Sequence, residues 1–377
     1  MFYPTILTAI TCNTMFQALF RDRALNIMAL LSIIIKFFSL NEAWVEKYYT
    51  HGIYPRISSS LRWLFGWIPF SVGDLFYAAA TVYLVYALCR MVSQVAKTGA
   101  KKYFSLLLAR KVLKISLAIY IVFNAFWGLN YNRIGIAGQL GLKIETHSKD
   151  DLLQLTRTLG ERLCFYGDKV DSSNRASLNN NLILFNEGVV SFAKVKARYP
   201  FLNYAVPSIK TSLLTPVGRY FGFTGYYNPF SAEAQLKTSV PVFVKPFVLC
   251  HEIAHQLGYA KENEANLVSF LVGRESTNME FRYSVYFDMY TYALGELAAE
   301  NRNEALLFIK TAHPQFLKDR LHYITYLQAQ ENPVEPVMSR FYDRFLKINN
   351  QPKGKGSYNQ VVTWLIAYMK KYGVQSV

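Results

Sequence analysis

Two histidines and a glutamate, spaced as His251-Glu252-Ile253-Ala254-His255, are the residues of this 377-residue chain best placed to do chemistry. On a helix, residues four apart stand one above the other. The two imidazoles can therefore share one tetrahedral Zn2+, and Glu252 points at the coordination position left for water. Two metal ligands and a general base within five residues make a zinc-dependent hydrolase, above all a peptidase, the leading reading. The flanking residues place the motif inside a protein. Pro246 suits the first turn of a helix, where its missing N–H is not needed. Phe247, Val248, Leu249, Cys250, Ile253, Ala254 and Leu257 make the rest of that helix apolar. Two buried histidines at helical spacing need a common task.

Zinc needs a third protein ligand. Gly258 can close the helix in a left-handed cap and turn the chain, and a second helix is expected from near Lys261 through Phe270. It offers Glu262 and Glu264. Glu262 is favoured because it precedes Asn266 by four residues; the two share a face, and Asn266 can hydrogen-bond a ligand histidine. Glu264 lies on a different face and is the alternative.

HEIAHQLG followed by ENEAN resembles the gluzincin class of zinc peptidases. In several membrane families of that class the second helix carries Glu-x-x-Ala-Asp, and its first Glu binds the metal. That pattern falls here on Glu262, Ala265 and Asn266, with Asn in place of Asp. The resemblance implies His251, His255 and Glu262 as metal ligands and Glu252 as general base. The gap from His255 to Glu262 is shorter than most of that class have, which keeps Glu264 open. Three hydrophobic spans, Phe70-Ser71-Val72-Gly73-Asp74, Trp127-Gly128-Leu129-Asn130-Tyr131 and the late Gly356-Ser357-Tyr358 resemble one bacterial membrane group, domain of unknown function 3810. This likeness runs over nearly the whole chain after about residue 25. It implies transmembrane helices followed by a zincin-like metallopeptidase domain, and names no substrate.

Composition agrees with a membrane protein: 52% of residues are hydrophobic. Spans are expected at 24–40, 70–89 and 112–129, the last ending in Phe126, Trp127 and Tyr131 as an interfacial aromatic belt. Arg90, Lys97, Lys101, Lys102, Arg110, Lys111 and Lys114 fall between the second and third spans with no acidic residue among them. The positive-inside rule puts that loop in the cytoplasm and everything after residue 131 in the periplasm of a multi-pass inner-membrane protein. Residues 57–69, where Arg62 is mixed with Trp63 and Trp67, suit an amphipathic segment on the outer leaflet. Residues 1–133 hold 14 Lys and Arg against 4 Asp and Glu. The net charge of +16 thus reflects topology and attraction to anionic lipid, not nucleic-acid binding. Three parts are expected: a tail over 1–23, in which Met15 is an alternative start; a three-helix membrane region over 24–131; and an outer domain over 132–377.

The outer domain reads as mainly α with a small β-sheet. Helices are expected at 149–166, 186–197, 281–300, 303–311, 314–328, 336–347 and 358–372 from apolar spacings of three and four. Strand character covers 208–244. Within it, 223–228 is either a sheet edge for an extended substrate or a structural hairpin. Of Cys12, Cys89, Cys164 and Cys250, only Cys164 and Cys250 lie outside, where a disulfide is permitted; a plain buried thiol suits Cys250 better. His313 reads as a helix cap or surface residue, and His51 and His147 as solvated.

The expected chemistry is peptide hydrolysis by metal-activated water, with Glu252 moving the proton and a Tyr or His donating to the oxyanion. Tyr358, Tyr227 and His322 are the candidates. The expected partners are a peptide or protein substrate of the cell envelope, and membrane lipid. Two alternatives remain: a zinc hydrolase of a non-peptide envelope amide, and a non-catalytic membrane protein with a structural metal.

Overall fold

Apolar residues recurring every three to four positions dominate the chain, and helices dominate its architecture. The computed structural model describes residues 22–99, 106–358 and 360–377. The expected tail up to residue 21, with Cys12 and Met15, and the loop residues Lys101 and Lys102 lie outside them. The numbered elements are α1 (Arg23–Ser39), α2 (Tyr54–Phe65), α3 (Val72–Thr98), α4 (Leu106–Phe126), α5 (Lys149–Gly167), α6 (Asn181–Val195), β1 (Ile209–Thr211), β2 (Gly225–Asn228), β3 (Glu233–Leu236), α7 (Lys245–Gln256), α8 (Glu262–Gly273), α9 (Met279–Glu300), α10 (Arg302–Lys310), α11 (Pro314–Gln330), α12 (Glu335–Ile348) and α13 (Gln360–Tyr372).

The core is built around α7. This helix packs on α8, on α9 and on the sheet, while α5 lies along α9 and α13 along α8. Leu152, Leu155 and Leu159 of α5 meet Phe287 and Met289 of α9 in one fully buried cluster with Leu267 and Phe270 of α8. A reciprocal Ser148–Asp151 capping box starts α5, satisfying donors that a helix start otherwise leaves open.

The expected strand-rich stretch yields only three strands of three or four residues, because turns and a 3-10 turn occupy most of 212–222. Their order is β1-β3-β2. β1 runs parallel to β3, with Ile209 opposite Ala234; β2 runs antiparallel, with Gly225 opposite Leu236 and Asn228 opposite Glu233. Asn228 closes the β2–β3 hairpin by accepting from the Phe230 and Ser231 amides. β2 is an outer strand, and no described strand pairs its far edge.

One described helix, α3, is long and apolar enough to cross a membrane; α1 with residues 42–65, bent by 98°, makes at most a second. The third expected span is helical within α4, but Arg110, Lys111 and Lys114 raise its polarity. The most apolar window of α3 has none of its residues buried. At 27 residues it extends about 40 Å.

The N-terminus of α3 is bolted to the sheet. Ser71 caps it by accepting from the Asp74 amide. The Glu233 carboxylate, on β3 and wholly buried, accepts from the Val72 amide at 3.1 Å, the Gly73 amide at 2.8 Å, Ser71 Oγ at 3.1 Å and Ser231 Oγ at 2.9 Å. An anion at a helix N-terminus meets free N–H groups and the positive end of the dipole. Asp74 returns the contact by accepting from the Leu213 amide and the Tyr226 hydroxyl. Arg62, expected on an exposed amphipathic face, turns inward to donate to the Val206 carbonyl, while Trp63 and Trp67 stay exposed.

Removing the Glu233 carboxylate strands several buried donors at once. Glu233→Ala is expected to destabilise the protein by about 3 kcal/mol, read as a lower melting temperature in detergent. Glu304→Ala, which breaks the exposed Lys149–Glu304 pair, serves as the control and is expected to shift stability by less than about 0.5 kcal/mol.

Candidate metal centre

The α7–α8 turn brings the two halves of the motif together. Pro246 sits in the first turn of α7. Past its end Gly258 has φ +89°, a left-handed conformation that suits glycine, and the chain doubles back so that Glu262 opens α8 facing α7. His251 Nε2 lies 3.1 Å from His255 Nε2 and 3.1 Å from Glu262 Oε2. His255 Nε2 to Glu262 Oε2 is 3.7 Å. Atoms about 2.0–2.1 Å from one tetrahedral ion are spaced by about 3.4 Å. All three side chains are buried, and together they could hold a metal ion.

The groups behind the ligands set which nitrogen bears hydrogen. His255 Nδ1 lies 2.7 Å from the Tyr259 carbonyl, which can only accept. Asn266 Nδ2 donates to the Tyr358 carbonyl, which turns Asn266 Oδ1 toward His251 Nδ1 at 2.8 Å. Both Nδ1 atoms therefore donate, and both Nε2 lone pairs face the Glu262 carboxylate. Three electron-rich atoms in one dry spot repel one another unless a cation or a proton sits among them. Tyr342 holds the carboxylate by donating to Oε1 at 2.6 Å, and Gln351 Oε1 accepts from the Glu262 amide.

Titration behaviour reflects this crowding. Burial opposes the charge on His255, yet its contacts with Glu262 outweigh burial and push its pKa up to about 9. Burial pushes His251 the other way, below the usual histidine value. Glu262 is held well below the usual carboxylate range by the two imidazoles in spite of its burial. Without a metal, the site thus keeps a proton on His255 at neutral pH.

Glu252 lies beside the ligands, buried and with Oε2 unpartnered. Burial, with the Glu262 charge adding to it, pushes its pKa up to about 8. Gly225 of β2 lies against it: a Cβ there would stand 2.8 Å from Glu252 Oε1. Two cavities of about 620 and 380 Å3 meet at Glu252, His251, Gly225, Tyr226 and Tyr358. Residues 225–228, within the stretch read as either a sheet edge or a hairpin, form an outer strand in a β2–β3 hairpin and flank the site.

Other candidates fall on either side of this cluster. Glu264 points away, beneath Gly135 and 3.8 Å from the Lys261 ammonium, so it stays outside the ligand group. The Tyr358 ring stacks on His251 at 6.3 Å and 9° and lines both cavities. Tyr227 lines the smaller cavity, with its hydroxyl engaged by Tyr54. His322 packs near Phe243 and lines neither. Cys164 and Cys250 are both free thiols, and burial raises the Cys250 pKa. His313 caps α11, accepting from the Gln315 amide. Sequence reasoning did not single out Tyr342; among 27 tyrosines nothing local marks it. It also read Trp127 as a membrane-belt residue, whereas its ring edge packs on His255 at 6.0 Å.

Two outcomes follow for metal binding. Titration calorimetry with Zn2+ is expected to give one site per chain, lost in Glu262→Gln and kept in Glu264→Gln, while Asn266→Ala weakens it roughly 10- to 100-fold. Because the metal must displace the His255 proton, affinity should rise about tenfold per pH unit up to about pH 9 and level off above it. A flat profile from pH 6 to 8 would contradict that assignment.

The likeness noted in the sequence can be set against known proteins. No curated protein matches the chain, and no solved structure does. A family model described as "Protein of unknown function (DUF3810)" matches residues 49–366, a stretch that contains His251, Glu252, His255, Glu262 and the Glu233 cap. The chain belongs to the DUF3810 family.

Proposed function

We propose that this protein is a membrane-anchored zinc peptidase of gluzincin type, with His251, His255 and Glu262 as ligands and Glu252 as general base. The observation that carries the reading is the convergence of three ligand atoms at tetrahedral spacing beside an unpartnered carboxylate in a cleft. Two imidazoles and one carboxylate form a donor set that suits zinc. A zinc ion bound there supplies a Lewis acid that polarises a carbonyl and lowers the pKa of water toward about 7.

The residues of the chain divide the rest of the task. Glu252 accepts the proton of the attacking water and hands it to the leaving amine. Gly225 and Tyr226, on the outer strand, offer backbone to an extended peptide. Tyr358 is the donor for the oxyanion, since its ring already stacks on a ligand histidine within the cleft. A structural metal fits the surroundings less well. Closing the site takes a fourth ligand, and Glu264 is turned away from it.

The membrane reading has three spans, α1, α3 and α4. Ile27, Leu30, Ile33, Val82, Leu84, Val112 and Ile119 all lie exposed on them, which favours lipid as their surroundings. The ends of α3 and α4 near the domain are Val72 and Phe126, so Arg90 and Lys97 of α3 and Arg110, Lys111 and Lys114 of α4 lie toward the far ends. The positive-inside rule then sets the domain in the periplasm. The smaller cavity joins the ligand histidines to Tyr77 of α3 and Phe123 of α4. This favours a polypeptide of the envelope that reaches the site from the membrane side.

Purified in detergent without chelator, the protein is expected to contain about one zinc per chain by elemental analysis and to cleave members of a peptide library. Glu252→Gln should keep the zinc and lose at least about 1,000-fold in turnover. Zinc content without cleavage of any peptide, but with hydrolysis of non-peptide amides, would move the assignment to the other hydrolase class. Absence of zinc from the purified protein would sink both.

A further inference from the structure

We propose that the larger cavity binds a cationic group of the substrate, with Asp288 as its counter-ion. In naming a substrate group, this rests on the peptidase reading above. Asp288 lies midway along α9, between the buried Phe287 and Met289, and lines the cavity that also holds His251 and Glu252. Its Oδ2 is fully enclosed and has no hydrogen-bond partner. Among the described residues no lysine, arginine or histidine pairs with it. The cavity's own cation, Lys355, donates instead to Ser339 Oγ at 2.7 Å. Asp288 as a whole is half-buried, but an enclosed carboxylate oxygen without a partner is costly to keep charged, and desolvation holds its pKa well above the usual carboxylate range.

The surroundings fit a cation. Tyr292, one helical turn from Asp288, and Tyr323 of α11 both feel its charge and line the same cavity, as does Phe247 of α7. Aromatic faces around a carboxylate make a site for an ammonium or guanidinium group, which gains both the ion pair and the ring quadrupoles. An entering cation would also restore the charge on Asp288. Tyr292 lies near Asn266, the partner of His251, so the pocket adjoins the ligand cluster. The selected group is a Lys or Arg side chain or an N-terminal ammonium close to the scissile bond.

The test uses binding, not turnover. Full-length Glu252→Gln protein in detergent is titrated into three fluorescent peptides of one sequence, followed by anisotropy. One has a blocked N-terminus and a lysine, one is blocked with acetyl-lysine in its place, and one carries acetyl-lysine with a free N-terminus. A charged peptide is expected to bind at least about tenfold more tightly than the uncharged one. Which charged peptide does so tells a side-chain site from a terminal-amine site. Adding Asp288→Asn or Asp288→Ser should reduce the preference to within about twofold, with a melting temperature no lower than the parent's. Two neutral variants guard against one failing to fold. No charge preference, or a preference that survives both substitutions, overturns the proposal. A preference that needs Asp288 in a protein whose Glu252 form cleaves no peptide would leave the cation pocket standing and sink the peptidase reading instead.

Discussion

Three electron-rich atoms must be held within 4 Å of one another in a buried site, and the elements around α7 are arranged to do it. Left alone, two imidazole lone pairs and a carboxylate would spread apart. The turn at Gly258, the Tyr259 carbonyl behind His255, Asn266 behind His251 and Tyr342 on Glu262 prevent this. Each of these groups is anchored by packing. α7 is wedged between the sheet, α8 and α9, and its twelve residues are all buried. The electrostatic strain of the cluster is thus borne by hydrophobic burial elsewhere, and a cation between the three atoms relieves it.

The same helix is tied to the N-terminal helices of the chain. Tyr54 donates to the His255 and Gln256 carbonyls at the end of α7, and Ser58 donates to the latter as well. These contacts satisfy acceptors that a helix end leaves open. Trp127 and Tyr131, just beyond α4, share a small core with Val45, Tyr49, Tyr54 and Ala260. Glu233 of β3 in turn caps α3. The smaller cavity is lined in part by side chains of α3 and α4. A shift of α3 or α4 relative to the domain would be felt at the cluster.

What could be read beforehand was local. Helical periodicity places His251 over His255 and Glu262 beside Asn266, because each pair lies four residues apart on one helix. Pro246 and Gly258 mark the ends of α7 by their backbone chemistry alone. Tyr342 lies 80 residues from Glu262, and Glu233 about 160 from the amides it caps. No spacing rule spans such distances, so these partners emerge only from tertiary packing. The strand-rich stretch was overestimated because Thr, Val, Tyr and Phe also suit the turns that pack over a short sheet. For α4, the helix starts before the apolar run and takes in Arg110 and Lys111, which the sequence reading placed in the preceding loop.

Buried polar groups without partners cost stability, and native proteins hold few of them. Several gather here: Glu252 Oε2, Asp288 Oδ2 and both Glu264 oxygens. Glu264 is explained by packing, since Lys261 and Arg133 supply a compensating field. Glu252 and Asp288 have no such compensation from nearby lysine or arginine; both open on the larger cavity and face space that a ligand can fill. Neutral side chains of similar shape at either position would give a more stable resting protein. On the function proposed above, Glu252 takes up a proton and Asp288 pairs with a cation, which accounts for two carboxylates being kept there. Two departures from a well-satisfied core therefore fall on one cavity.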